Sequence, residues 1–215
     1  MVNFAHRGII EYENTVKGVM EVFDKEHNMG VEIDVRFNTS REVVLCHDRE
    51  NRNERANASL YELLKSLNND KYYDKHLMID IKAFGIQSAK ELACSTCNIM
   101  KQFPNLCEKM NFYLCSFNEY CVSELLFLCD DMNMPNIQIG VITTGVPLGM
   151  YNHIDDINFV SVEYGILCEE IMDAFKTKHL DVYAWVVNDN SMKKLMHQYN
   201  VDGLIYDVIP KCKND

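Results

Sequence analysis

The chain has 215 residues, 47% of them hydrophobic and 25% charged, with a formal net charge of −11. That length allows one sizeable core and is short for two independent domains, so one domain spanning 1–215 is expected. The acidic balance excludes a broad electrostatic surface for nucleic acid or anionic membrane, although a local cation can still hold an anionic substrate.

The first residues, MVNFAHRGIIEYENT, lack the basic start and long apolar stretch of a signal peptide. No run approaches the roughly 18 apolar residues that span a bilayer. The nine cysteines are an odd number, and Cys94–Cys97 is the only CxxC pair, with no second pair at zinc spacing. Reduced thiols and a soluble, cytoplasmic protein without a transmembrane segment follow as expectations. Oligomeric state is not legible.

Eight short runs rich in β-branched and aromatic residues read as strands: Val2–Ala5, Val31–Val35, Leu77–Ile81, Phe112–Cys115, Ile137–Ile142, Phe159–Val162, Val182–Val187 and Gly203–Tyr206. Helical patterns at Thr15–Lys25, Leu60–Leu67, Ile86–Phe103, Asn118–Met132, Cys168–Lys178 and Ser191–Tyr199 lie between most of them, the last capped by Asn190 or Ser191. Alternation of this kind predicts a parallel sheet covered by helices, and eight units predict an α/β fold closed as a single (β/α)8 TIM barrel. An open doubly wound sheet is the alternative.

Val43–Cys46 follows Phe37 too closely for a crossover helix, so it predicts an antiparallel hairpin extension after the second strand, turning near Asn38–Arg41. With the turn centred between Ser40 and Arg41, Asp34 would face His47.

Chemistry gathers where the strands end. Glu32 and Asp34 alternate on the second strand, and Asp80 and Lys82 on the third, so each pair shares the inward face. Three inward carboxylates near one mouth are costly without a cation, and an oxygen-bound hard ion, Mg2+ or Ca2+, answers that cost. Pairing with Arg7, Lys82 and backbone amides is the plainer alternative. His6 and His47 end the first strand and the hairpin return at the same rim.

These residues stand in an order that resembles the glycerophosphodiester phosphodiesterase family. His6-Arg7-Gly8, Glu13-Asn14-Thr15, Glu32-Ile33-Asp34-Val35 and Val43-Val44-Leu45-Cys46-His47-Asp48 follow its pattern, as do Asp80-Ile81-Lys82, Ser116-Phe117, Trp185-Val186-Val187-Asn188 and Val201-Asp202-Gly203-Leu204-Ile205-Tyr206-Asp207. The resemblance implies that Glu32, Asp34 and Asp80 hold one divalent cation, Mg2+ or Ca2+. His6 and His47 would then be the acid–base pair, Arg7 and Lys82 would contact phosphate, and Trp185 would line the substrate mouth or pack in the core.

The implied activity is hydrolysis of a small-molecule glycerophosphodiester to glycerol 3-phosphate and an alcohol. A phospholipase D-like reaction on lysophospholipid or sphingomyelin, or a non-catalytic phosphoryl-ligand barrel, are the alternatives.

Glu13 and Asn14 are expected to support the site by hydrogen bonding, with capping of the following helix as the alternative for Asn14, and Ser116 either to meet substrate or to satisfy a local backbone group. Glu163 and Asp207 are expected on a solvated rim. His27, His76, His153, His179 and His197 lie in helix or loop contexts without partner motifs, and the methionines are core filler. Two departures stand out. Asp80 replaces the family's usual Glu, and the segment between Asp48 and Asp80 is short, with a charged, mobile-looking run Arg49–Arg55, which predicts an open mouth.

Overall fold

The computed structural model describes residues 2–51, 57–132, 136–145 and 156–209. His153 and part of the charged run 49–55 lie outside them. In chain order the elements are β1 (Asn3–Ile9), α1 (Val16–Lys25), β2 (Met29–Phe37), β3 (Val43–Leu45), α2 (Leu60–Leu67), β4 (His76–Ile81), α3 (Ile86–Met100), α4 (Pro104–Lys109), β5 (Asn111–Ser116), α5 (Glu119–Met132), β6 (Ile137–Thr143), β7 (Phe159–Glu163), α6 (Glu169–Thr177), β8 (Asp181–Trp185), α7 (Asn190–Gln198) and β9 (Gly203–Val208).

Eight of the described strands pair in parallel in the order β1-β2-β4-β5-β6-β7-β8-β9, and β9 pairs back to β1. The sheet therefore closes, and the fold is a (β/α)8 barrel with β3 attached antiparallel outside β2. No helix among the described residues is long and apolar enough to cross a membrane.

Alternation along the strands divides the buried residues into two sets. Outward positions such as Val31, Ile33, Leu77, Ile79 and Val160 join residues of the surrounding helices in one core. Inward positions Phe4, Met78, Tyr113, Phe159, Tyr183 and Ile205 fill the barrel interior. There Phe4, Tyr113, Phe159 and Tyr183 pack edge to face, with ring centroids 5.1–5.7 Å apart. Room for the rings comes from glycine. A Cβ at Gly30 would sit 2.6 Å from the Phe4 ring, and one at Gly140 2.5 Å from that of Phe159.

Four sequence expectations are corrected. The helix expected over Ile86–Phe103 ends at Met100 and a second begins at Pro104, because a residue before proline is driven out of helical geometry and proline suits a first helical position. β8 stops at Trp185 rather than Val187. Asp189, not Asn190 or Ser191, caps α7, accepting from the Ser191 and Met192 N–H groups at 2.7 and 3.1 Å. His76 is neither helical nor in a loop; it opens β4 and contacts the Tyr113 hydroxyl at 3.1 Å.

The hairpin register also differs by one residue. Phe37 pairs with Val43 and Val35 with Leu45, so Asp34 faces Cys46, whose N–H donates to Asp34 O at 3.0 Å. The turn has three residues because Asn38 Oδ1 accepts from the Ser40 and Glu42 N–H groups, and Arg41 takes the left-handed conformation (φ 65°). An odd-length turn centres on Ser40 rather than beside it.

Candidate active site

The inward alternation continues one layer above the aromatic floor. His6 follows Phe4 on β1, Asp34 follows Glu32 on β2, Asp80 follows Met78 on β4, and Cys115, Ser161 and Trp185 take the equivalent places on β5, β7 and β8. These residues, with Arg7, His47, Lys82, Phe117 and Ile142, line one cavity of about 260 Å3 at the C-terminal end of the barrel. All eight residues singled out in the sequence (His6, Arg7, Glu32, Asp34, His47, Asp80, Lys82 and Trp185) meet there.

Strict alternation would send Arg7 away from His6, yet both reach the cavity. The β1–β9 register shifts between Ala5 and Ile9, and Arg7 and Gly8 both have positive φ (56° and 86°). A bulge of this kind re-aims a side chain. Gly8 is suited to it twice over, since a Cβ would also lie 3.0 Å from the Gly18 carbonyl carbon in α1.

His47 reaches the cavity by another route. It lies beyond the end of β3, so strand pleating does not direct it. Instead Arg36 donates from Nε to Cys46 O at 3.0 Å and from Nη2 to His47 O, holding that backbone in place.

Glu32, Asp34 and Asp80 are buried, and each offers an oxygen within 4.8 Å of the others. Asp34 and Asp80 are direct partners across the β2–β4 ladder. Lys82 bonds both, at 3.0 Å to Asp34 Oδ1 and more closely to Asp80 Oδ2. Arg7 Nε lies 3.1 Å from Asp34 Oδ2, its Nη1 donates to Glu13, and its backbone N–H donates to Glu32 Oε2 at 3.1 Å. Asn14 grips Asp34 twice: Nδ2 donates to Oδ2 at 2.8 Å, and Oδ1 accepts the Asp34 backbone N–H at 2.9 Å. Thr15, not Asn14, caps α1.

Burial raises the Glu32 carboxyl well above the usual range, and the charges of Asp34 and Asp80 push the same way. Burial likewise lifts Asp80 to about 7 against the pull of Lys82. For Asp34, burial is outweighed by Lys82, Asn14 and Arg7, and its carboxyl is held below the usual range. Three carboxyls thus share two cationic partners, Lys82 and Arg7, and buried Asp80 Oδ1 has no hydrogen-bond partner among the described residues. An oxygen donor set of this kind, with one donor unused, fits a hard divalent cation.

Each histidine has a carboxylate on Nδ1. His6 Nδ1 lies 2.8 Å from Asp207 Oδ1, and His47 Nδ1 lies 2.7 Å from Asp48 Oδ1. An ionised carboxylate can only accept, so Nδ1 carries the proton and a neutral ring leaves its Nε2 lone pair available. Asp207 is itself fixed by Asn188, whose Nδ2 donates to Oδ2 at 2.6 Å and whose Oδ1 accepts the Asp207 N–H at 2.9 Å. Burial lowers the His6 pKa below its ordinary 6.5, although the bond to Asp207 acts against that.

Asp207 therefore corrects the expectation of a solvated rim; the signal was its inward parity with Ile205 on β9. Ser116 is resolved in favour of the backbone, donating to Ile81 O at 2.6 Å and accepting the Asn118 N–H. Ser161 joins the cavity wall without having been singled out, since nothing in its neighbourhood marks it. Trp185 stands edge to face with Phe117 at 5.9 Å.

No family profile matches the sequence, and no curated protein matches it. Solved structures do. A phosphodiesterase from Oleispira antarctica, in complex with the product sn-glycerol-3-phosphate, is 17% identical with a TM-score of 0.78, covering 96% of this chain and 92% of its own. A glycerophosphodiester phosphodiesterase from Parabacteroides distasonis is 18% identical with a TM-score of 0.78 over the same shares. A calcium-dependent phosphoinositol-specific phospholipase C from Pseudomonas sp. is 11% identical with a TM-score of 0.62, covering 95% and 88%. The fold is the one these phosphodiesterases share.

Proposed function

We propose that this protein is a metal-dependent glycerophosphodiester phosphodiesterase that releases glycerol 3-phosphate and an alcohol. One observation carries the reading: two imidazoles, each oriented by a carboxylate, stand in the same cavity as three buried carboxyl groups that outnumber their cationic partners. The ordered motifs of the sequence and the shared fold support it.

Glu32, Asp34 and Asp80 would hold one divalent ion, Mg2+ or Ca2+, and such an ion, when bound, supplies positive charge to offset that gathering on the phosphate oxygens. Arg7 and Lys82 bring further donors to those oxygens, Arg7 through a planar fork.

Displacement at phosphorus needs a proton acceptor on the entering side and a donor on the leaving side. His6, neutral near pH 7 with Nε2 unprotonated, accepts the proton of the attacking water, whose oxygen bonds to phosphorus as the bond to the alcohol breaks. His47, at the more open rim, is the donor to the departing oxygen, which leaves as an alcohol. Asp207 holds neutral His6 with its Nε2 lone pair free, and Asp48 accepts from Nδ1 of His47, which acts as donor through Nε2 in its doubly protonated form. Trp185 and Phe117 form an apolar wall for the carbon skeleton.

Purified protein offered glycerophosphocholine, glycerophosphoinositol, lysophosphatidylcholine and sphingomyelin, with Mg2+ or Ca2+, tests the reading. The first two should be hydrolysed, and His6→Ala and His47→Ala should each reduce the rate roughly 10²–10⁴-fold with the fold kept. Parental rates in both variants would refute the acid–base assignment. A phospholipase D-like reading has one observation in its favour, the exposure of Phe84, Phe117 and Tyr120 after β4 and β5. Turnover confined to lysophosphatidylcholine or sphingomyelin would select it.

A further inference from the structure

A second pocket of about 360 Å3 shares Lys82 with the first. Its wall is built from the β2–β3 turn, the segment after His47 and the start of α3. It carries Arg36, Arg41, Arg49 and Lys82 with no carboxylate among the described lining residues. On a chain of net charge −11, four basic side chains gather on one small concavity, two of them also paired with acidic side chains beside it.

The cations are placed by structure. Arg36 is buried and anchored on the Cys46 and His47 carbonyls. Its guanidinium and that of Arg49 both lie 5.8 Å from the centroid of the Phe84 ring, which gives them a shared apolar support. Arg41 lies over Phe37 at 4.3 Å and pairs with Glu91 through Nη2, one of an arginine's five donors. Lys82 stands between the two pockets: its ammonium bonds Asp34 and Asp80 in the first, and it also walls the second. Lys82 is the one described residue that lines both spaces.

We infer that the second pocket receives another phosphate on the alcohol part of the substrate, so that the preferred substrates are glycerophosphodiesters whose alcohol is itself phosphorylated. This rests on the reaction proposed above and narrows its substrate class. A planar guanidinium recognises a phosphate dianion in paired hydrogen bonds, whereas a choline or ethanolamine head group would place a cation among arginines.

The matched pair glycerophosphoinositol and glycerophosphoinositol 4-phosphate tests the inference, with the parent and an Arg41→Gln/Arg49→Gln double variant. Both arginines are exposed and lie outside the first cavity. The parent should favour the phosphorylated substrate at least 10-fold in kcat/KM, mainly through KM. The double variant should lose that preference while cleaving glycerophosphoinositol at the parental rate. Equal kcat/KM for the two substrates in the parent, or a preference that survives in the double variant, would overturn the inference. So would a response of glycerophosphoinositol cleavage to inorganic phosphate without any substrate preference, since the pocket would then serve a free effector.

If the parent cleaves no glycerophosphodiester, the reaction itself is refuted. Calorimetric titration with inositol 1,4-bisphosphate then decides the pocket. Binding at least 10-fold weaker in the double variant upholds it, and equal affinity in both proteins rejects it.

Discussion

The His6 imidazole and the Asp207 carboxylate meet at 2.8 Å although 201 positions separate them in the chain. Closure of the barrel through the β1–β9 pairing brings them together, and Asn188 locks the carboxylate from its other side. Replacing Asp207 by Asn keeps the volume but allows the amide to donate to Nδ1, which turns the proton to Nε2. Asp207→Asn should lower kcat about 100-fold or more with little change in fold. Steady-state kinetics beside circular dichroism check this, and an unchanged kcat would assign Asp207 a purely structural place.

The pH profile follows from the same pair. The His6 pKa lies below 6.5 in the folded protein, chiefly through burial, so the native state favours the neutral ring. Its contribution to stability is complete above 6.5 and is lost as pH falls from there through the folded value. The acid limb of kcat/KM should accordingly fall below pH 6.5. Asp207→Asn removes an interaction that raises the pKa, so the limb should move lower still. A profile in which the limb rises in that variant would contradict the assignment.

Cation binding should be linked to protons. Glu32 and Asp80 have raised pKa values through burial, Asp80 to about 7, and both must be ionised to serve as ligands. Affinity for Mg2+ or Ca2+ should rise as pH increases through 7, with proton release visible as a buffer-dependent calorimetric heat. Without metal, a carboxyl raised from 3.8 contributes stability that is full below pH 3.8 and lost as pH rises through about 7. Thermal melts across that range should show the loss from Asp80 in chelator and its relief on adding the ion. Asp80→Asn should weaken the metal response and leave the melts of the metal-free protein less sensitive to pH.

Asn14 supports the triad from outside it. Asn14→Leu removes both bonds to Asp34 and leaves the buried Asp34 N–H without this partner, at a cost of about 1–3 kcal/mol. The left-handed backbone at Asn14 (φ 52°) adds to that cost for leucine. Urea denaturation measures the first effect, and weaker metal binding would report the second role, the positioning of Asp34.

Much of the barrel was legible because the strands carry short runs of β-branched, aromatic or other apolar residues and most helices a periodic apolar face. The eight strands were all placed, with bounds off by a few residues. The convergence of Glu32, Asp34, Asp80 and His6 was also legible, since parity within a strand and closure of the sheet together leave those residues few places to go, whereas His47 reaches the cavity through the hold of Arg36 on its backbone and not through the register expected for it.

What escaped the sequence depended on local turns and on contacts between distant segments. The hairpin register turned on the Asx bonds of Asn38 and the left-handed Arg41. Parity could not bring Arg7 and His6 to the same cavity without the bulge at Gly8, and Asp207 needed the β1–β9 closure to meet its partner.

The rings of Phe4, Tyr113, Phe159 and Tyr183 stop the barrel from below, so the cavity above them is a blind well. Whatever is admitted departs by the opening through which it arrived. Under the proposed reaction, both fragments of a cleaved diester would share that exit with the incoming molecule, and the slower to leave would limit how soon the next turnover can begin.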